Sequence, residues 1–267
     1  MKKTGKEGRK MTNKDRMELA RRAALEAGRM LMQYEEIHVD KKARNDYVTD
    51  ADRASENLIR EILLGACPED GFYGEEGGVT GKEKPGMWVV DPIDGTTNFI
   101  HRLHPYTISI AYMVKGQPVA AAVYAPVTGE MFSAYLGGGA YLNDKLIHVS
   151  DITDPKMLIL GMSFSHRDAK FAARMFELIP RLCMKINDMR RLGSAAYDLC
   201  MVACGKYDAF IELNLLLYDI AAGVLIAREA GAITSGWYED KDCLETGHIL
   251  AAAPGVFDWL KEEIDKE

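Results

Sequence analysis

From Thr12 onward, Met17, Ala20, Ala24, Ala27 and Leu31 recur at helical spacing, and Thr12 with Asp15 reads as an N-terminal cap. A second helix is expected over 51–64, with Ala54, Leu58 and Ile62 on one face and Gly65 past its end. Residues 72–75 read as a short strand. The apolar run 87–90 is too short for a helix and is closed by Asp91-Pro92. Between 107 and 149, apolar and β-branched runs are punctuated at Lys115-Gly116, Thr128-Gly129, Gly137-Gly138-Gly139 and Asn143-Asp144, which predicts an antiparallel meander.

The pattern changes after Ser150. Strand-like runs at 158–161, 209–212 and 249–252 alternate with helical runs at 168–182, 194–204 and 219–230. Ser194 opens the second of these helices, Gly231 stops the third, and an amphipathic helix closes the chain. The fold class is therefore α/β, an α+β half followed by an α/β half. The expected organisation is an N-terminal α+β unit over 12–150 and a C-terminal α/β unit over 151–267, packed as one body with a cleft between them. A basic, disordered tail is expected over 1–11.

Composition is that of a globular protein, 48% hydrophobic and 27% charged in 267 residues. No stretch approaches the roughly 20 uninterrupted apolar residues that span a bilayer. The basic start (Lys2, Lys3, Lys6, Arg9, Lys10) is followed by no apolar leader core, so a soluble, cytoplasmic protein without a membrane partner is expected. The net charge of −7 argues against nucleic-acid binding through a basic face. It permits an anionic small substrate, because divalent ions held by carboxylates reverse the local sign. Cys67, Cys183, Cys200, Cys204 and Cys243 are odd in number and scattered, as reduced thiols are. The six histidines show no paired ligand spacing, which sets zinc aside, and Gly81-Lys82 lacks the rest of a nucleotide-binding loop.

The most informative stretch runs from Trp88 to Phe99. An apolar strand delivers Asp91 to its end, Pro92 holds Asp91 extended, and Gly95 permits close backbone approach. Asp91 and Asp94 could converge on hard cations, and the N–H groups of Gly95 and Thr96 could hold a phosphate. The alternative is an exposed turn in which Asp94 caps Thr96-Thr97. Glu75 ends a strand, and Asp52 and Asp219 stand at helix starts. Taken singly, capping and dipole effects account for both aspartates.

Together and in order, VTDAD at 48–52, GEE at 74–76, DPIDGTTNF at 91–99, GSAA at 193–196 and YDIAAG at 218–223 resemble the inositol monophosphatase family of metal-dependent, lithium-sensitive phosphatases. GGGAYLND at 137–144 is similar to that family's glycine-rich turn, and the resemblance runs from about Asn13 to the C-terminus. It implies a layered α/β/α/β/α fold, a homodimer, and two or three Mg²⁺ ions, with Mn²⁺ as a possible substitute. Carried over by residue, Glu75, Asp91 and the carbonyl of Ile93 would hold a first Mg²⁺, and Asp91, Asp94 and Asp219 a second. Thr96, with Asp52 behind it and Glu75 beside the metal, would orient and deprotonate the attacking water. Ile93, Asp94, Gly95, Thr96, Gly193, Ser194, Ala195, Glu212 and Asp219 would face the substrate. Lys41 or Lys42 falls in a segment similar to the family's mobile loop near a third ion; a solvated charge pair is the alternative.

Three positions depart from the family pattern: Leu216 where histidine is common, Tyr218 where tryptophan is, and Ser194 where threonine is. The loop between Glu75 and Asp91 is short, and Gly77-Gly78 is expected to make it mobile. The resemblance implies Mg²⁺-dependent hydrolysis of a small phosphate monoester, myo-inositol monophosphate first, by an activated water. Fructose 1,6-bisphosphate, histidinol phosphate and a 3′-phosphonucleotide are the alternative substrates. A non-catalytic phospho-ligand binder, marked by loss of a metal carboxylate, is the alternative of another class.

Overall fold

The computed structural model describes residues 11–43, 46–165, 168–237 and 241–266. The tail expected over 1–11 lies, except for Met11, outside the described residues, as do the side chains of Lys41 and Lys42.

Helix α1 (Asn13–Leu31) opens at Thr12, whose hydroxyl accepts the Asp15 N–H at 3.1 Å while the Asp15 carboxylate accepts the Thr12 N–H at 2.9 Å. This reciprocal pair satisfies two otherwise orphaned donors. Strands β1 (Val39–Ala43) and β2 (Asp46–Thr49) form a small antiparallel ribbon that leads into α2 (Asp50–Ala66). Here the expectation needs correcting. Gly65 lies inside the helix, exposed, at a cost of about 1 kcal/mol against alanine, and the chain leaves the helix at Cys67, just before Pro68. The buried face is also not the one expected. Asp52, Ser55, Glu56, Ile59 and Leu63 are buried, while Ala54, Leu58 and Ile62 are half-buried. Three polar side chains on the inward face disguise its period.

Strands β3 (Gly71–Gly74), β4 (Gly78–Thr80) and β5 (Gly86–Asp94) follow, then the short α3 (Thr96–Ile100). Next comes the expected meander of β6 (Thr107–Val114), β7 (Gln117–Ala125), β8 (Glu130–Tyr135), β9 (Ala140–Leu142) and β10 (Lys145–Ile147). They build one sheet in the order β10-β9-β8-β7-β6-β5-β3-β4, antiparallel except for the parallel β3–β5 pair. The segment expected to be mobile is the tight β3–β4 hairpin, with Gly74 opposite Gly78.

Beyond 150 lie β11 (Ile159–Met162), α4 (Ala169–Cys183), β12 (Asp188–Arg190), α5 (Ala195–Ala203) and β13 (Ala209–Glu212). The chain ends with α6 (Leu217–Glu229), β14 (Ile233–Ser235), α7 (Cys243–Thr246), β15 (Ile249–Ala252) and α8 (Pro254–Asp265). The second sheet is ordered β12-β11-β13-β15-β14.

Strand alternation sorts the core. Trp88, Val90, Ile108, Ile110 and Tyr112 pack with α1 and α2, while Val89, Ala111, Met113, Ala121 and Phe132 pack with α5 and α6. The far side of α5 and α6 meets Phe210, Ile249 and Ala251 of the second sheet. The opposite face of that sheet, with Leu160, Ile211 and Leu250, is covered by α4 and α8. The result is five layers, α/β/α/β/α. Helix α5 is buried at every position because it has a sheet on either side.

One polar knot ties the first layer down. Asp70 accepts from the Arg16 guanidinium, from Trp88 Nε1 at 3.1 Å and from Tyr112 Oη at 2.9 Å. Removing one member of a buried pair strands the other. Asp70→Ala should cost about 3–5 kcal/mol in urea unfolding; a loss under about 1 kcal/mol would show the knot to be incidental.

Candidate active site

Strand side chains three apart point to opposite faces, so Asp91 and Asp94 would diverge on a regular β5. The register prevents this. Asp91 faces Ser109 and Asp94 faces Thr107, three residues against two, which is a one-residue bulge at Pro92-Ile93. Both carboxylates then emerge on the side of α5 and α6 and line one pocket of about 480 Å³ with Glu75, Ile93, Gly95, Thr96, Gly193, Ser194, Ala195, Glu212 and Asp219. Every residue predicted for the site lines this pocket except Asp52. That side chain is 1% exposed and lies behind Thr96, with the Thr96 hydroxyl 3.4 Å from its Oδ1 and 3.1 Å from the Ile93 carbonyl.

Each of the four aspartates is held by backbone donors. Asp52 caps α2, its Oδ2 accepting from the Thr49 N–H at 2.7 Å and the Thr49 hydroxyl at 2.5 Å. Asp219 holds the same third position in α6, where its Oδ2 accepts the Leu216 N–H at 2.7 Å. The capping readings of both are therefore correct, while Asp219 also lines the pocket and Asp52 stands behind Thr96. Asp91 accepts the Ile93 N–H at 3.0 Å. Asp94 does not cap Thr96-Thr97; Gly95, at φ +95°, heads that turn with no side-chain bond. Its carboxylate reaches instead to the start of α5, accepting from Ser194 Oγ and the Ala196 N–H at 2.7 Å and the Ala195 N–H at 3.3 Å. Ser194 in turn caps α5 and meets Thr107 Oγ1 at 3.1 Å.

Electrostatics here are severe. Burial, then the charges of Glu75, Asp94, Asp219 and Asp52, push the Asp91 carboxyl well above the usual range. Burial lifts Asp94 to about 6 against the opposing pull of its donors on α5. An all-oxygen donor set of this charge fits a hard divalent cation and not a thiophilic one. Among the described residues, no three acidic, histidine or cysteine side chains close around a single point as placed. The turn of Asp94 onto the α5 N–H groups is one geometric reason.

Several lining residues escaped the sequence reading. Tyr47, Asn98, Ser163, Phe164, Ser165, Arg191 and Asn214 also face the pocket. Asn98, inside the DGTTN run, donates to the Pro105 carbonyl at 2.6 Å and the Leu192 carbonyl at 2.8 Å, and so joins α3 to the α5 approach. Nothing in the local pattern signals Arg191, whose guanidinium lies 5.2 Å from the Phe164 ring. Of the three departures, Ser194 lines the pocket. Leu216 and Tyr218 do not: Leu216 is 45% exposed, and Tyr218 packs edge-on to Tyr73.

Five layers and an acid-lined cleft at the strand ends define a layered α/β phosphatase fold. The chain belongs to the inositol monophosphatase family, whose model matches residues 13–266. It is 38% identical over 255 residues to the Nus factor SuhB of Pasteurella multocida, spanning 94% of each chain. It is also similar to the extragenic suppressor protein SuhB of Bartonella henselae, with TM-score 0.89 and 32% identity over 94% of this chain and 98% of that one. With the inositol monophosphatase of Anabaena the TM-score is 0.84 and the identity 31%, over 95% and 96% of the two chains. The family supports phosphatase activity.

Behind the pocket, one buried acid has no hydrogen-bond partner among the described residues. Both oxygens of Asp198 on α5 lack a hydrogen bond, and the residue is 1% exposed. Burial, then the Glu212 and Asp94 charges, raise its pKa well above the ordinary value, with Arg191 opposing. A raised carboxyl stabilises the fold below its unfolded pKa and loses that contribution as pH rises through the folded one. Denaturant unfolding of wild type and Asp198→Asn should therefore show wild type losing stability, relative to the variant, between pH 5 and pH 8. Parallel pH profiles would mean that Asp198 is served by a donor.

Proposed function

We propose that this chain hydrolyses small phosphate monoesters, with myo-inositol monophosphate as substrate, and requires Mg²⁺ held by Glu75, Asp91, Asp94, Asp219 and the Ile93 carbonyl. The observation that carries the reading is the crowding of four other carboxylates around buried Asp91, a site that a hard cation would neutralise. Bound Mg²⁺ supplies charge that lowers the pKa of the attacking water and stabilises the leaving oxygen.

The chain's own groups orient and accept protons. Thr96 can take a proton from the water while passing its own to Asp52 Oδ1. Among the described residues, no histidine or lysine lines the pocket beside Thr96, so a direct attack by water, without a phosphothreonine intermediate, is the route it supports. The N–H groups of Gly95 and Thr96 offer donors for the phosphate, and Glu212, Gly193, Ser194 and Ala195 stand at the alcohol end. A homodimer, a cytoplasmic location and lithium inhibition belong to the same reading. Among the described residues, no helix is long and apolar enough to cross a membrane. A second reading, a protein that works by binding partners, draws its support from the name Nus factor carried by the Pasteurella relative; the complete carboxylate set favours the enzyme.

Phosphate release from a panel of monoesters tests the reading. Turnover should vanish on exhaustive chelation, return with Mg²⁺, be fastest with myo-inositol monophosphate and slow across a lithium titration. Undiminished activity in chelator would refute the metal requirement, and preference for a bisphosphate would replace the substrate. Asp219→Asn gives the cleanest variant, because an amide oxygen can still accept the Leu216 N–H while the charge is lost. Its kcat should fall about a hundredfold or more with little change in melting temperature. Asp94→Asn also disturbs the start of α5, so its kinetic and stability effects will mix.

A further inference from the structure

Glu56 is 3% exposed on the inward face of α2, an expensive place for a carboxylate. Its two oxygens are divided between two donors: Oε2 accepts the Glu76 N–H at 2.8 Å, and Oε1 accepts the Gly77 N–H at 2.7 Å. Those N–H groups belong to the turn that leaves Glu75. On its other side, Glu75 is fixed to the sheet, its N–H donating to the Val90 carbonyl at 3.1 Å.

The chain makes room for this carboxylate. A Cβ at Gly74 would stand 2.2 Å from Oε2 and one at Gly77 would stand 2.6 Å from Oε1, so side chains there would evict it. One helical turn on, Arg60 donates to Thr80 Oγ1 at 2.7 Å and lies 4.7 Å from the Phe72 ring, so α2 grips both strands of the hairpin. The same helix face holds Thr96 through Asp52 and the Pro92 carbonyl through Ser55, at 3.1 Å.

We infer that Glu56 is a positioning residue: its carboxylate clamps the Glu76-Gly77 backbone and thereby sets where Glu75 presents its own carboxylate to the metal. The inference rests on the metal-dependent reading above. Groups that orient a ligand from behind typically change metal affinity about 10–100-fold when altered. Only a carboxylate offers an acceptor to each of two separate N–H groups; glutamine offers one acceptor and turns a donor toward the other.

Mg²⁺ affinity, read without substrate from the rise in melting temperature during an Mg²⁺ titration, tests this in four proteins: wild type, Glu56→Gln, Gly77→Ala and Leu63→Ala. Glu56→Gln should bind Mg²⁺ about 10–100-fold more weakly. Gly77→Ala displaces the carboxylate with Glu56 intact and should show the same loss; it decides alone if Glu56→Gln does not fold. Leu63→Ala, two turns along α2 in the apolar core, should lower the melting temperature and keep wild-type affinity. Wild-type affinity in both clamp variants overturns the inference and leaves the metal reading standing. A wild type that does not respond to Mg²⁺ overturns both. An equal loss in Leu63→Ala reduces Glu56 to general support of the helix and overturns its positioning role.

Discussion

Like charges held together in a low-dielectric pocket are the constraint around which this molecule is arranged. Glu75, Asp91, Asp94 and Asp219 come from the ends of β3, β5 and the start of α6, and burial together with the other three charges raises the cost of ionising Asp91. Left to themselves such groups would separate or protonate. The fold prevents separation by anchoring the three aspartates to backbone N–H groups: Ile93 for Asp91, Ala195 and Ala196 for Asp94, Leu216 for Asp219. These anchors lie in rigid strand ends and helix starts, so the repulsion is stored in the scaffold. A cation would draw on carboxylates whose backbones are already fixed, with side-chain turns such as that of Asp94 away from α5 left to make.

Convergence also depends on the one-residue bulge in β5. Without it, Asp91 and Asp94 would face different layers, one toward α1 and α2 and the other toward α5 and α6. Pro92 suits that bulge, since it has no N–H to offer a neighbouring strand, and its carbonyl is held by Ser55. Gly95 then turns the chain at φ +95°, with the Gly193 carbonyl so close that a Cβ would meet it at 3.1 Å. The DPIDG run is therefore a backbone device as much as a source of two carboxylates.

This explains what could and could not be read from the chain. Period and punctuation show the meander, three of the second sheet's five strands and the caps at Thr12 and Ser194, because those depend on local chemistry. The three-residue edge strands β12 and β14 are too short to show a period. The inward face of α2 was misread because Asp52, Ser55 and Glu56 are polar residues buried for the site's sake, and hydrophobic periodicity ignores them. The partner of Asp94 was out of reach for another reason. Its donors lie 100 residues away at the start of α5, and no local pattern links a strand end to a helix in a different layer. The supposedly mobile Gly77-Gly78 segment is a hairpin for the same reason: its restraint comes from α2.

The distribution of roles across the pocket has a consequence for selectivity under the proposed reading. The acids and Thr96 come mainly from β3, β5 and the start of α3, whereas Ser163, Phe164, Ser165, Arg191, Glu212 and Asn214 all come from the half after residue 150. The alcohol would therefore be read largely by segments that carry no metal ligand. Those segments can change shape and charge with little effect on the carboxylate cluster. Two of the three departures from the family pattern, Leu216 and Tyr218, fall outside the lining, one exposed at 45% and the other packed on Tyr73. Among the described lining residues, the alcohol end carries the guanidinium of Arg191, 5.2 Å from the Phe164 ring. Under that reading, phosphate and metal charge fall at the β5 end, hydroxyl groups of the alcohol can donate to Glu212, and an anionic group of the alcohol would pair with Arg191.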